Sequence, residues 1–424
     1  MSHSLHAAKC RAFHPLSFMH CAAMLLLLTA SAVTPAQSQT FTVLHEFSGG
    51  PDGYQPQDGP VMDSRGNLYG TTAKGGIGYY AYGVGFKLSK VHSSWILSSL
   101  TEFGHDEDGY YPYAGVTFGP DAAIYGTTGA GGIGCGGNGC GTIFRLTPPA
   151  EIPRNVFSPD SRTVIYRFSG PDGQSPLGKF IFDHAGNIYG TTSNAGPRGA
   201  GTIFQLTQNG GQWILTTLYA FGDGPDGGQP WGELVMDGDG NLYGTNAQGG
   251  GLCFCGVVFE LSPSAGGWNY QVLHAFVPAV DGGWPRAGLT IDAAGNLYGT
   301  TSDGGPNGGG TVFELSPVSG GRNFNIIYAL SGGSGDGPAG KLLLDPAGNL
   351  YGTTQLNGAY NQGSIFKLTP QDGGWVYSSV HEFMVDEGGS EPKGNLLMDS
   401  SGNLYGMTSY GGRYGGGTVW ELTP

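Results

Sequence analysis

A phrase of the form NLYGTT, followed by a Gly-rich loop and GTVFEL, occurs seven times and constrains the fold more than any other feature. Its copies are centred on Tyr69, Tyr125, Tyr189, Tyr243, Tyr298, Tyr351 and Tyr405, spaced by about 53 to 64 residues. A period of this length, running from about residue 41 to the last residue, indicates one repeat-built domain. Glycine supplies 81 of the 424 residues, and helix-forming runs are scarce, so the chain is predicted to be all-β.

Each period contains four short β signals in the same order. In residues 323–368 they read NFNIIYAL, KLLLD, LYGTT and GSIFKL. Four strands in each of seven periods predict a seven-bladed β-propeller of four-stranded blades. Continuous apolar runs such as LTID and LLLD are typical of strands buried on both faces, so we expect them to be innermost. The LYGTT strand, the GTVFEL strand and the strand ending in LHxF should follow outward.

The order of these signals also predicts how the ring closes. FTVLHEF at 41–47 has the pattern of an outermost strand, whereas GTVWEL at 417–422 has the pattern of a third strand. The N-terminal strand should therefore pair with the C-terminal strand and complete the seventh blade, which removes an exposed edge. This assigns one propeller domain to residues 39–424.

Residues 1–38 differ in kind from the repeats. Lys9 and Arg11 precede an apolar run at 21–33, and small residues follow it, which is the pattern of a secretory signal peptide. The run is short for a membrane span, no second such run occurs, and no evident anchor follows Pro424. We expect an exported protein, secreted or periplasmic, with no membrane span, acting as a monomer.

The charge balance argues against some partners. The net charge of the whole chain is −14, and removing Lys9 and Arg11 makes it two units more negative. Such a surface repels nucleic acid and anionic membranes. We therefore expect no nucleic-acid partner.

Four cysteines lie within residues 39–424, in two close pairs. Cys135 and Cys140 enclose the loop CGGNGC, and Cys253 and Cys255 form CFC. In an exported protein such pairs suggest disulfides, although bridging is strained for the second pair, for which free thiols or metal binding are alternatives. Neither pair has the CxxC spacing of a zinc site.

Two recurring aspartate motifs have a structural explanation. An aspartate opens a DxxGN turn at Asp63, Asp183, Asp237, Asp292, Asp345 and Asp399, whereas blade two reads GPDAAIYG and must turn differently. A second motif, DGxxP, carries Asp52, Asp108, Asp172, Asp226 and Asp281, with Asp336 and Glu387 in altered forms. Both motifs favour turns. A ring of carboxylates could bind calcium, but no EF-hand-like ligand set is present, so no metal or cofactor is assigned.

The phrase YGTTxxGGxxxxGTVFxL, preceded by LHxF, resembles the GloVer-type tandem repeat of bacterial choice-of-anchor proteins. The resemblance covers nearly the whole chain after residue 38. It implies an exported bacterial protein and no general activity.

Positions that break the repeat should carry the function. They flank the proline of DGxxP, on the face where propellers usually bind ligands. The candidate ligand-binding residues are Tyr113, Lys179, Trp231, Trp284, Arg286, Lys341 and Lys393. Basic side chains on an acidic body suggest an anionic ligand, and the aromatic rings suit sugars, so an extracellular acidic polysaccharide is the preferred ligand. Alternatively, the basic side chains neutralise the aspartate ring.

Two other classes of function remain open. The chain could be a polysaccharide lyase that uses His105 or Tyr113 as a base beside Arg286, or a hydrolase that uses Glu233 with Asp106. It could also be a scaffold for a protein partner. No catalytic sequence motif supports an enzyme.

Overall fold

The computed structural model describes residues 39–77, 82–104, 108–147, 162–222, 224–251, 253–332 and 337–424. Within Thr40–Thr423 the described chain forms seven antiparallel sheets of four strands each, with a short 3-10 helix at Cys135–Gly137. The prediction of a seven-bladed β-propeller is confirmed. No helix within these ranges has the length and apolar character needed to span a bilayer. The predicted signal peptide lies outside the described residues.

The strands are numbered in chain order, beginning with β1 (Thr40–Glu46). Blade one contains β2 (Val61–Met62), β3 (Leu68–Thr72), β4 (Val84–Val91) and β5 (Ser94–Glu102); blade two contains β6 (Val116–Phe118), β7 (Ile124–Thr128), β8 (Thr142–Leu146) and β9 (Arg162–Arg167). Blade three contains β10 (Ile181–Phe182), β11 (Ile188–Thr192), β12 (Thr202–Asn209) and β13 (Gln212–Ala220); blade four contains β14 (Val235–Met236), β15 (Leu242–Asn246), β16 (Val257–Ser264) and β17 (Gly267–Ala275). Blade five contains β18 (Thr290–Ile291), β19 (Leu297–Thr301), β20 (Gly308–Val318) and β21 (Gly321–Ser331); blade six contains β22 (Leu343–Leu344), β23 (Leu350–Thr354), β24 (Ser364–Gln371) and β25 (Gly374–Glu382). Blade seven contains β26 (Leu397–Met398), β27 (Leu404–Thr408) and β28 (Thr418–Thr423), to which β1 adds the fourth strand.

The two ends of the described propeller close the ring through one sheet. Strand β1 pairs antiparallel with β28, from Thr40 opposite Thr423 to Glu46 opposite Thr418. The ring of Phe41 also stacks on the ring of His381 in blade six, with centroids 3.9 Å apart. The predicted closing pair is therefore confirmed, with strand ends that differ from the predicted ones by a residue.

The hydrophobic core consists of seven clusters, each between successive blades. In the first cluster Phe47 of blade seven and Phe86 of blade one are fully buried, and their ring centroids lie 5.3 Å apart. The buried ring of the third strand also lies on the glycine of the YGTT motif, since a Cβ at Gly70 would come within 2.8 Å of Phe86. The YGTT glycine is thus required by close packing inside the blade.

The innermost strands are less buried than the sequence predicts. Both residues of β14 are half-buried, whereas all five residues of β15 are buried. The second strand of a blade has a strand on each side and a neighbouring blade on each face. The innermost strand has no further strand between it and the axis, which explains its partial exposure.

The DxxGN aspartates form turns, as predicted. Asp63 accepts hydrogen bonds from the backbone N–H groups of Arg65 and Asn67 and from the Asn67 side chain. The hydrogen bond from the Asn side chain to the aspartate four residues earlier recurs at Asp183, Asp237, Asp292, Asp345 and Asp399. Blade two turns by the expected different route, in which Asp121 accepts from Ala123 and Ala122 has φ of 59°.

Candidate ligand-binding site

Two sets of loops share one face of the ring, which we call the funnel face. They are the loops that enter each innermost strand and the loops that join the second strand to the third. Isolated antiparallel bridges connect the two sets, for example between Tyr54 and Lys74 and between Tyr110 and Ala130. The loops that carry the non-repeating residues are therefore held side by side on this face.

The funnel face contains a depression at the propeller axis, which we call the axial depression. It has an open volume of about 440 Å³ and is lined by residues that follow the loop prolines of all seven blades. Its lining includes six of the predicted site residues: Tyr113, Lys179, Trp231, Glu233, Arg286 and Lys393. The structure thus brings together side chains separated by up to about 280 positions in the chain.

One ion pair crosses the floor of the axial depression between blades one and three. Lys179 Nζ lies 3.1 Å from Asp58 Oδ2, and the two side chains are only 9% and 15% exposed. Asp58 also accepts backbone N–H bonds from Gly115 and Asn395. Burial favours the protonated carboxyl, but the Lys179 ammonium and the N–H donors outweigh it and hold the pKa of Asp58 below its usual range.

A second group of contacts crosses the floor between blades four, six and seven. Lys341 Nζ lies 2.5 Å from Glu233 Oε1, and Asn395 Nδ2 donates to Glu233 Oε2 at 3.2 Å. Asn395 Oδ1 accepts from the backbone N–H of Lys341 at 2.9 Å. Both carboxylate oxygens of Glu233 are therefore engaged.

These contacts neutralise three of the four basic side chains that the sequence analysis assigned to ligand binding. Lys179 and Lys341 pair with Asp58 and Glu233, and Lys393 Nζ lies 2.8 Å from Glu391 Oε2. These lysines are paired with carboxylates, but with Asp58, Glu233 and Glu391 rather than with the DGxxP aspartates of the alternative. Sequence separation hid the first two pairs, because their partners lie on different blades and meet only across the axis, whereas Glu391 and Lys393 are two positions apart.

Arg286 differs from the three lysines. Its side chain is exposed, and its guanidinium carbon lies 5.0 Å from the ring centroid of Trp231. In the described part of the chain it makes no ion pair with a carboxylate. Arg286 and Trp231 therefore form a cation–π pair whose remaining guanidinium donors face solvent.

Tyr113 lies on blade two, where a glycine in the neighbouring loop leaves space for its ring. A Cβ at Gly129 would come within 2.9 Å of the Tyr113 ring, and the position after the YGTT threonines is alanine or serine in most other blades. The ring of Tyr113 also stacks on Tyr111, with centroids 5.6 Å apart. Burial and the neighbouring Tyr111 raise the pKa of Tyr113, so its phenol is neutral at physiological pH.

The remaining predicted site residues have different outcomes. Trp284 is half-buried and does not line the axial depression; its backbone N–H donates to Cys255. His105 and Asp106 lie outside the described residues.

The two cysteine pairs also differ from each other. Cys135 and Cys140 form the predicted disulfide. Cys253 and Cys255 are free thiols, so the second disulfide considered from the sequence is not formed. The Cys255 thiol instead donates to the carbonyl of Cys253, an arrangement that a two-residue separation permits without the strain of a bridge.

Two of the DGxxP aspartates, Asp108 and Asp226, pair with Arg167 and Arg198, whereas Asp52 and Asp281 bond close to their own loops. Asp281 accepts from the backbone N–H of Val277 and lies 2.8 Å from the ring nitrogen of His274. Asp52 contacts Ser48 and His45 in the same way. Within the described ranges no group of three or more His, Cys, Asp or Glu side chains is placed to hold a metal ion.

Asp58 is the main site residue that the sequence prediction missed. It occupies the second position after the loop proline, where the other blades carry Ala114, Gly178, Gly232, Ala287, Gly340 and Gly394. A single charged residue among small ones was the available signal.

Comparison with protein families identifies the repeat. The model of the Gloeobacter/Verrucomicrobia repeat matches residues 136–342 and 256–424, which together are more than half of the chain. The chain belongs to this family. The predicted resemblance to a GloVer-type repeat is thereby confirmed. No protein with curated annotation matches the chain significantly.

Solved structures of other proteins share the fold at low sequence identity. PorZ, a surface component of the type-IX secretion system of Porphyromonas gingivalis, is 14% identical with a TM-score of 0.50, over 87% of this chain and 46% of PorZ. The chain therefore spans less than half the length of that protein. A Bacteroides uniformis protein provisionally assigned as a 6-phosphogluconolactonase is 16% identical with a TM-score of 0.50, over 82% of this chain and 89% of its own. These similarities concern the fold alone.

Proposed function

We propose that this propeller is exported and binds an acidic polysaccharide in the axial depression of the funnel face. Export is supported by the pattern of residues 1–38 and by the Cys135–Cys140 disulfide. The observation that carries the proposed binding is the exposed cation–π pair of Arg286 and Trp231.

The charge balance of the axial depression supports an anionic ligand. Its lining residues Lys179 and Lys393 have carboxylate partners within 3.1 Å, as does the neighbouring Lys341, which pairs with Glu233. Arg286 has no carboxylate partner among the described residues, and its planar guanidinium can donate two parallel hydrogen bonds to a carboxylate or sulfate. One anionic group bound there would complete the charge pairing on this surface.

The aromatic side chains of the axial depression support a sugar. Trp231 and Tyr113 line it from blades four and two. Their rings offer flat apolar faces against which the C–H face of a sugar can pack, while hydroxyl groups at its edge remain hydrated. A uronate ring combines both requirements, since it carries a carboxylate at its edge.

The contacts of Glu233 favour binding over hydrolysis. A general acid must be able to exchange a proton with the substrate, whereas both Glu233 oxygens already accept from Lys341 and Asn395. For a lyase, the raised pKa of Tyr113 leaves little phenolate to act as a base. A carbohydrate-binding role is the function that these residues support best.

The proposal is tested by electrophoresis of residues 39–424 through native gels that each contain one polymer: polygalacturonate, dextran sulfate or neutral dextran. We expect retardation in the acidic gels alone and no cleared zone after the polymer is stained. Substitution Arg286→Gln should weaken binding at least about tenfold, because it removes a charge-assisted hydrogen bond.

Arg198→Gln is the matched control. Arg198 lies on the same face but pairs with Asp226 at 2.7 Å, so its substitution should leave retardation unchanged. Equal effects of the two substitutions would show that binding follows net charge rather than this site. A cleared zone would instead identify an enzyme, and unchanged mobility in every gel would contradict polysaccharide binding and favour the scaffold alternative.

A further inference from the structure

A second cleft lies on the funnel face at the junction of blades one and two. It has an open volume of about 520 Å³ and is lined by Tyr82, Tyr110, Tyr111, Ala130 and Asn138. We call it the tyrosine cleft. The ring centroids of Tyr82, Tyr110 and Tyr111 lie 5.1 to 5.2 Å from one another. Tyr110 is only 4% exposed and its hydroxyl donates to the Asn138 carbonyl, so the half-buried Tyr82 and Tyr111 supply most of the aromatic surface of the cleft.

The aromatic side chains of the tyrosine cleft are not required by the repeat. The backbone N–H of Tyr111 donates to the carbonyl of Tyr82, and the equivalent bond in the next blade joins Ser175 to Cys140. The backbone arrangement is therefore kept with small side chains. Tyrosines are found at both positions only at this junction. They pack against the core cluster between blades one and two, but the backbone shared by the other blades does not require aromatic side chains there.

The tyrosine cleft adjoins the axial depression. Tyr111 lines the cleft and Tyr113 lines the axial depression, and their rings stack at an interplanar angle of 22°. This stacked pair forms the wall shared by the two cavities. A polymer bound at the axis could pass over it and continue outward between blades one and two.

The two cavities differ in charge. None of the described side chains that line the tyrosine cleft is charged, and burial together with the neighbouring phenols raises the pKa of Tyr110 and Tyr111, so these phenols are uncharged at neutral pH. An anionic group placed there would lose hydration without gaining a cation partner. An uncharged sugar loses less, and it can pack its C–H face on the rings.

We propose that the tyrosine cleft is a second subsite, specific for an uncharged sugar residue of the same polymer that places an acidic residue at Arg286. The ligand class is then a heteropolysaccharide of acidic and neutral sugars. The inference rests on the proposed function, because the acidic residue at Arg286 sets the position of the neutral one.

The test is isothermal titration calorimetry of residues 39–424 with two probes of equal length. Hyaluronan oligosaccharides alternate a uronate with a neutral sugar, whereas oligogalacturonides carry a charge on every residue. Tyr82→Ala and Tyr111→Asn are the test variants; asparagine is chosen because it tolerates the φ of 57° at Tyr111. Tyr360→Ala is the control, since this tyrosine is 53% exposed on a loop of the same type in blade six.

We expect the wild type to bind the hyaluronan probe about tenfold more tightly, and each test variant to lose that preference while binding oligogalacturonides normally. The control should behave as wild type. Equal affinity for both probes, lost in Arg286→Gln but unaffected by the tyrosine variants, would overturn the second subsite and leave the proposed function in place. Failure of the wild type to bind either probe would overturn both.

Discussion

Replacing Asp58 by asparagine should destabilise the propeller strongly, although it changes few atoms. The substitution keeps the shape of the side chain but leaves Lys179, which is 9% exposed, without its carboxylate partner. Removing one member of a buried ion pair costs about 3 kcal/mol or more, because the remaining charge stays desolvated. We expect the free energy of unfolding, measured by urea titration with tryptophan fluorescence, to fall by that amount at pH 7.

Two companion variants separate this mechanism from a general loss of packing. Lys179→Met, added to Asp58→Asn, removes the stranded charge and should recover most of the lost stability, giving a large coupling energy in a double-mutant cycle. Arg145→Gln is the control, because Arg145 and Asp121 form a half-exposed pair and such pairs contribute less than about 1 kcal/mol.

The effect of Asp58→Asn should depend on pH in a defined direction. The folded-state pKa of Asp58 lies below the ordinary value of 3.8, so the stability that its ionised form contributes is complete above that value. This contribution is lost as the pH falls through the folded-state pKa, and the difference between wild type and variant should shrink there. A difference below about 1 kcal/mol at pH 7, or one that persists unchanged at acid pH, would refute the ion-pair explanation.

Three further predictions concern the fold. Gly53→Ala should lower the free energy of unfolding, measured by thermal unfolding, by about 2 kcal/mol more than Gly66→Ala does. Both glycines have positive φ, but a Cβ at Gly53 would clash with the Thr72 side chain, whereas a Cβ at Gly66 meets nothing. Similar losses of stability in the two variants would contradict this. Alkylation of residues 39–424 at pH 8, followed by mass spectrometry, should modify the exposed Cys253 in the native protein and Cys255 only after unfolding. The reason is that burial raises the pKa of the Cys255 thiol to about 12. Labelling of both cysteines in the native protein would refute the burial argument. Phe41→Ala should lower the free energy of unfolding by about 2 kcal/mol through loss of its ring contacts with His381 and Trp420, whereas Phe254→Ala, at a ring 55% exposed, should change it little.

The fold was predictable because the same physical signals recur in every period. Strand order, ring closure and the structural role of the DxxGN aspartates depend on contacts between residues close in the chain or equivalent between repeats. The burial of individual strands was predicted less well. Apolar composition marks a strand as internal, but only the packed blades reveal that the LYGTT strand, rather than the innermost strand, is covered on every side.

The sequence alone also determined which positions surround the axis, since the DGxxP motif places one short segment of each blade there. It did not determine their pairing. Lys179 meets Asp58, and Lys341 meets Glu233, across the centre of the ring, so each partnership depends on the number of blades, the width of the axial depression and the reach of the side chains. Only the closed tertiary structure sets those distances, and it leaves Arg286 exposed over Trp231 while the other cations of the axial depression are neutralised.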